Sequence, residues 1–253
     1  MARTIVVYGL TTIPEIGPGD DLARVIVEAA EREGVGIESG DVIVVSSKVV
    51  SKAEGRFVKL RDVKPSGEAL RLAAGLGKDP RLVEVVLRES RRVVKAERGH
   101  LIVETRHGFV CANAGVDKSN VRGVGDVVLL LPVDPDESAR RIREGIERLT
   151  GERVAVVITD THGRPLREGQ VDVAVGLSGL PAFRDYRGLR DLAGYTLRVK
   201  RTALADEVAA AADLVKGGGA EAIPVAIVRG LDYRESEESA GELAMPEEKW
   251  LFR

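Results

Sequence analysis

The sequence is poor in residues that staple, chelate or cross membranes. Cys111 is its only cysteine, so no internal disulfide can form. The three histidines, His100, His107 and His162, include no i, i+4 pair and no cysteine partner, which argues against zinc. No stretch approaches the roughly 18 consecutive apolar residues of a membrane span. The opening MARTIVVYGL runs straight into a β-type segment and lacks the parts of a signal peptide, so a cytoplasmic location is expected. Neither charge dominates: 38 Lys and Arg stand against 40 Asp and Glu, a net charge of −2. Nothing there favours nucleic acid or a membrane surface. Neither GxxxxGK[ST] nor GxGxxG occurs, and no repeat or low-complexity linker is found. Asparagine stands only at 113 and 120 and glutamine only at 170. Depletion of thermolabile amides beside abundant Arg and Glu is a thermophile signature. It also draws attention to two asparagines within eight residues.

What is present is an ordinary globular balance, 44% apolar and 31% charged over 253 residues. That length permits one large domain or two small ones. Strands are expected over TIVVYGL (4–10), DVIVVSS (41–47), the run 91–113, VVLLLP (127–132), VAVVITD (154–160) and IPVAIVRGL (223–231). Helices are expected after Asp20 as N-cap, after Ser66, over 81–89, after Asp134-Pro135-Asp136, and over 203–216. Residues 163–190 read as a long Gly-rich segment, and the tail 232–253 as charged and without a motif. The alternation of strands and helices predicts an α/β fold of α+β character, with a mixed sheet and flanking helices.

Four constellations could carry chemistry. Asn113-Ala-Gly-Val-Asp117-Lys-Ser-Asn120 offers carboxylate and amide oxygens suited to a hard cation, or a turn held by Asx side chains. Thr159-Asp160-Thr161-His162 ends an all-apolar strand, where α/β sheets gather ligands, although a cap or turn would look the same. Ser46-Ser47-Lys48 with Ser51-Lys52 suits phosphate, and equally a solvated loop. Lys216-Gly217-Gly218-Gly219 could bring backbone N–H groups to phosphate, or simply cap a helix. Arg164, Arg167, Arg184, Arg187 and Arg190 crowd the Gly-rich segment and suit anionic substrate groups, or pair with Glu168, Asp172 and Asp185. Cys111 reads as a small core residue.

In order and spacing, the blocks IPEIGPGDDL (13–22), VVSSKVVSKAEGR (44–56), CANAGVDKSNV (111–121), LLPVDPDESA (130–139), VITDTHGRPLREG (157–169) and ADEVAAAADLVKGGGAEAIPVAIVRGL (205–231) resemble the coenzyme F420-0:γ-glutamyl ligase family. The resemblance implies that family's unusual α/β fold over residues 1–232, followed by a charged tail, 233–253. It implies a homodimer and a GTP-dependent ligase that adds L-glutamate to coenzyme F420-0, and then to F420-1, through an acyl phosphate. It implies two divalent ions, Mg²⁺ or Mn²⁺, with K⁺. By position, Ile13, Pro14, Glu15, Ile16, Ser47, Lys48, Lys52, Asn120 and the stretch Lys216, Gly217, Gly218, Gly219, Ala220, Glu221, Ala222, Ile223 match nucleotide contacts. Asp117 and Asp160 match carboxylates of the first metal, and Thr161 a ligand of the second. Where the family places a Glu or Gln ligand, this chain has Gly218; Glu221, nearby, is the expected substitute. The different-class alternative is a metal-dependent phosphohydrolase using the same aspartates.

Overall fold

The computed structural model describes residues 3–118 and 126–251. In chain order the elements are β1 (Val6–Leu10), α1 (Leu22–Arg32), β2 (Val42–Ser46), α2 (Ser47–Ala53), β3 (Phe57–Lys59), α3 (Gly67–Leu76), α4 (Pro80–Arg88), β4 (Ser90–Glu97), β5 (His100–Thr105) and β6 (Val110–Ala112). Then follow β7 (Val127–Leu129), α5 (Pro135–Thr150), β8 (Ala155–Arg164), β9 (Arg167–Ser178), β10 (Arg184–Asp185), β11 (Arg201–Thr202), α6 (Leu204–Lys216) and β12 (Val225–Arg229).

Five strands form the main sheet in the order β1-β12-β2-β8-β9. Only β2 and β8 pair in parallel; the other neighbours are antiparallel, giving the expected mixed sheet. The β2 residues Val42, Ile43, Val44 and Val45 are all fully buried. A continuous β-branched run is what a strand covered on both faces requires. Ile43, Val45, Val156 and Ile158 face a core shared with Ile26 of α1 and Ile142 and Ile146 of α5. Val42, Val44, Ala155 and Val157 face the other way, onto Leu204, Ala205 and Val208 of α6. Burial of each Val or Ile contributes roughly 1.5–3 kcal/mol. β4–β6 form a separate three-stranded sheet, which α3 and α4 help cover. β3 pairs with β7.

Helix starts follow local side chains. Ser66 accepts from Ala69 N and Asp134 from Glu137 N, as their sequence positions predict. α1 corrects the expected cap: Asp21 accepts from Arg24 N, while Asp20 turns back to accept from Gly17 N. The larger correction concerns 163–190. It is not one long loop: β8 runs on to Arg164 and returns as β9, twelve residues long. Val171, Val173 and Val175 alternate there at strand period, before a bulge turns Leu177 to the opposite core, beneath the distraction of Gly169 and Gly176. The charged tail is also packed. Ala240 is fully buried, Arg143 pairs with Glu235 at 2.8 Å, and Ala182 N donates to Glu238. No helix of the described residues is long and apolar enough to cross a membrane.

Candidate functional site

The sheet register brings distant segments to one edge. Ser46 pairs with Thr159, so β2 ends beside the middle of β8, which runs on to Arg164. β12 runs antiparallel to β2, with Val225 opposite Val45, and β1 runs antiparallel to β12, with Leu10 opposite Val225. The segment after Leu10 and the segment before Val225 therefore join the carboxyl end of β2, beside the middle of β8. Ser46 N donates to Pro224 O at 2.9 Å across that edge. Ligands of α/β sheets gather at such ends.

α2 begins there and its polar side chains distribute the acids. Ser47 Oγ, 3% exposed, donates to Asp160 Oδ1 at 2.8 Å. The next residue, Lys48, pairs with Asp117 at 2.8 Å. One turn on, Lys52 pairs with Glu15 at 2.8 Å. Ile13 and Ile16 anchor the Glu15 loop in the core, leaving Pro14 exposed. Asp117 leaves a turn in which Asn113, Ala114 and Gly115 all have positive φ, at 52°, 55° and 69°. Two non-glycine residues held in that region are a local strain typical of functional turns. The turn's other end is fixed by paired backbone bonds between Asp117 and Leu129. Asn113 Oδ1 is buried without a hydrogen-bond partner. Asn120 lies outside the described residues.

Side chains alternate along β8, and this splits the sequence motif. Asp160 turns toward α2, and His162 Nε2 comes within 3.2 Å of its Oδ2 without making a hydrogen bond. Thr159 and Thr161 turn to the α6 side, where both donate to Asp172 of β9, at 2.9 and 2.7 Å. Lys216 lies beneath them, 4% exposed, donating to Asp172 Oδ2 and Thr159 Oγ1 at 2.6 Å each. Burial raises the Asp172 pKa. The Lys216 charge, with hydrogen bonds from Lys216, Thr161 and Thr159, outweighs that and leaves the carboxyl below its ordinary value. Asp172 entered the sequence reading only as a surface ion partner for arginine. A charged residue inside the Val171/Val173/Val175 alternation was the signal for more.

The loop after α6 departs through Gly217, whose φ of 68° caps the helix. Gly218, Gly219, Ala220 and Glu221 are exposed. Glu221 folds back over Gly217, where a Cβ would lie 2.5 Å from its Cδ, and accepts from Gly219 N at 2.7 Å. The N–H groups of Glu221 itself and Gly219 hold that carboxyl below the usual glutamate value. Ala222 has φ 57°, and Ile223 packs against Gly9.

Among the described residues, no three His, Cys, Asp or Glu side chains are grouped to hold an ion. The donors on the α2 side are nonetheless those a hard cation takes, the carboxylates of Asp117 and Asp160 and the hydroxyl of Ser47, while the Thr161 oxygen stands on the other face of β8. Such ions commonly use one or two carboxylates and complete their shell with water and phosphate oxygens. This set suits Mg²⁺ or Mn²⁺. Glu221 is engaged with its own loop. Of the arginines, Arg187 closes onto Asp185 and Arg184 reaches Asp232 O. Arg164 Nη2 donates to Glu168 O, while its Nε is buried and unpaired. Cys111 is buried, and burial with the nearby Asp160 charge pushes its thiol up to about 12, so it is no nucleophile.

A model of the F420-0:γ-glutamyl ligase family matches residues 11–230. The chain is 45% identical to the Coenzyme F420:L-glutamate ligase of Methanothermobacter thermautotrophicus, over 98% of this chain and 99% of the relative. It is 49% identical to the ligase of that name from Methanopyrus kandleri, over 86% of this chain and 83% of the relative. It is 44% identical to that of Archaeoglobus fulgidus, over 98% and 96%. By these matches, the chain is a member of the F420-0:γ-glutamyl ligase family.

Proposed function

We propose that this chain joins L-glutamate to the terminal carboxylate of coenzyme F420-0, and then to F420-1, at the expense of GTP. The observation that carries the reading is the meeting of Ser47–Asp160, Lys48–Asp117 and Lys52–Glu15 with the Gly217–Ile223 segment at one sheet edge. The triphosphate lies along that edge. Lys48 and Lys52 face its negative charge, and the exposed N–H groups of the glycine segment take phosphate oxygens. Asp160, oriented by Ser47, and Asp117 would hold one divalent ion, and Thr161, on the other face of β8, would give an oxygen to the second. Bound there, Mg²⁺ or Mn²⁺ neutralises charge that develops on the phosphates. K⁺ belongs to the same proposal.

The substrate carboxylate supplies the nucleophile. Its oxygen attacks the γ-phosphorus as the bond to the bridging oxygen breaks, giving an acyl phosphate and GDP. The amine of L-glutamate, having given up a proton, attacks the acyl carbon, and phosphate leaves with the former carboxylate oxygen. The protein contributes alignment, worth on the order of 7–11 kcal/mol at best. The homodimer belongs to the proposal too. The arm around β10 and β11 exposes Leu192, Tyr195 and Val199, a surface that a second copy would cover.

Mass spectrometry of F420-0 incubated with GTP, L-glutamate and Mn²⁺ tests the reading. The expected products carry one and two added glutamyl residues, with one GDP and one phosphate per bond. Phosphate released at the full rate without glutamate and F420-0 would make the protein a phosphohydrolase instead.

A further inference from the structure

Asp172 has no assigned part in the chemistry above, yet it organises one of the residues that does. It is 4% exposed on β9, directly opposite Thr161 on β8. Lys216 Nζ lies 2.6 Å from its Oδ2, and a carboxylate paired with an ammonium can only accept. The hydroxyl hydrogen of Thr161 must therefore point at Asp172 Oδ1, 2.7 Å away. Thr161 is otherwise exposed, so its lone pairs are turned outward, away from the ribbon. Without that acceptor the hydroxyl would rotate freely and present its hydrogen outward as often as its oxygen. Thr159 and Lys216 fill the other oxygen of the carboxylate, at 2.9 and 2.6 Å, leaving it no freedom to swing away.

A buried ion pair is a poor device for stability alone, since desolvation offsets much of the attraction. An acceptor aimed at a would-be ligand is the usual job of groups one layer behind a metal, and their loss weakens metal binding about 10- to 100-fold. We propose that Asp172 is a positioning residue that presents the Thr161 oxygen to a divalent cation, with Lys216 supplying its counter-charge. This rests on the ligase reading of the same edge.

Two double variants separate orientation from charge burial. Lys216→Met/Asp172→Leu and Lys216→Met/Asp172→Asn both remove the ion pair, but only the second leaves an oxygen to accept from Thr161. Melting temperatures, Mn²⁺ binding by electron paramagnetic resonance in the presence of GDP, and GDP binding by calorimetry are measured on both and on the wild type. The Leu variant is expected to lose at least about tenfold in Mn²⁺ affinity, while the Asn variant stays within about threefold of wild type. Equal Mn²⁺ affinity in the two, whether kept or lost, overturns the proposal. Should the Leu variant give no cooperative melt, Thr161→Val replaces it in the comparison, and an Asn variant as weak as Thr161→Val overturns the proposal equally. Failure of the wild type to bind Mn²⁺ and GDP would instead strike at the ligase reading.

Discussion

Ser47 Oγ donates to Asp160 Oδ1 at 2.8 Å, joining the first residue of α2 to the middle of β8. Lys48 beside it holds Asp117 at 2.8 Å, so two consecutive residues gather acids that lie far apart in the chain. Asp160→Asn keeps an oxygen for Ser47 and removes the charge. Turnover is expected to fall to background while the melting temperature stays within about 4 °C of wild type. Steady-state phosphate release and a thermal melt check this. Turnover at the parent rate would remove Asp160 from the site.

The acid pH response of stability has an identifiable contributor. Asp136 Oδ1 accepts from Leu177 N at 2.8 Å and Ala240 N at 3.0 Å, tying α5, β9 and the tail together. Burial raises its pKa above the ordinary 3.8, and the two backbone donors only partly offset this. The fold thus binds this proton more tightly than the unfolded chain. Its stabilisation is complete below the unfolded value and is lost as pH rises through the raised folded value. Asp136→Asn keeps an oxygen for both donors and cannot titrate. Urea melts from pH 4 upward should show a shallower loss of stability in the variant than in wild type. Parallel curves would exclude Asp136 as the cause.

Gly176 sits where β9 passes under the start of α5. A Cβ there would lie 2.5 Å from both the carbonyl carbon and oxygen of Pro135. Gly176→Ala forces the helix start away from the sheet, an overpacking that costs about 1–3 kcal/mol. The melting temperature should fall by roughly 3–10 °C. An unchanged melt would mean that α5 shifts without cost.

Cys111 should be inert. With its thiol near 12, almost none is ionised at pH 8, and it is 8% exposed. Native protein is expected to resist iodoacetamide at pH 8 and to become labelled in urea, as read by intact mass. Rapid native labelling would contradict its burial.

Much of this was legible because strong local signals agreed with the fold. DVIVVSS and VAVVITD are continuous apolar runs, and both became buried strands that lead into the site. Ser66 and Asp134 announced their helices by side-chain capping alone. β9 was not seen, because its glycines read as loop punctuation while its alternating Val171, Val173 and Val175 were overlooked. That omission concealed the hairpin and with it the place of Asp172. Lys216 illustrates a different limit. Sequence position put it beside the nucleotide segment, but helix geometry turns its ammonium under the sheet, onto Asp172. Which face of a strand a side chain takes depends on register, and the β-bulge between Ile158 and Thr159 resets that register just before the site.

The fate of the substrate's carboxylate oxygen distinguishes an acyl phosphate from simple hydrolysis. F420-0 labelled with ¹⁸O in its terminal carboxylate, incubated with GTP, L-glutamate and Mn²⁺, should yield phosphate carrying one ¹⁸O for each first-round amide formed. Phosphate whose extra oxygen comes only from water, released without labelled oxygen, would contradict an acyl phosphate and leave the edge around Ser47 and Asp160 as a hydrolytic site.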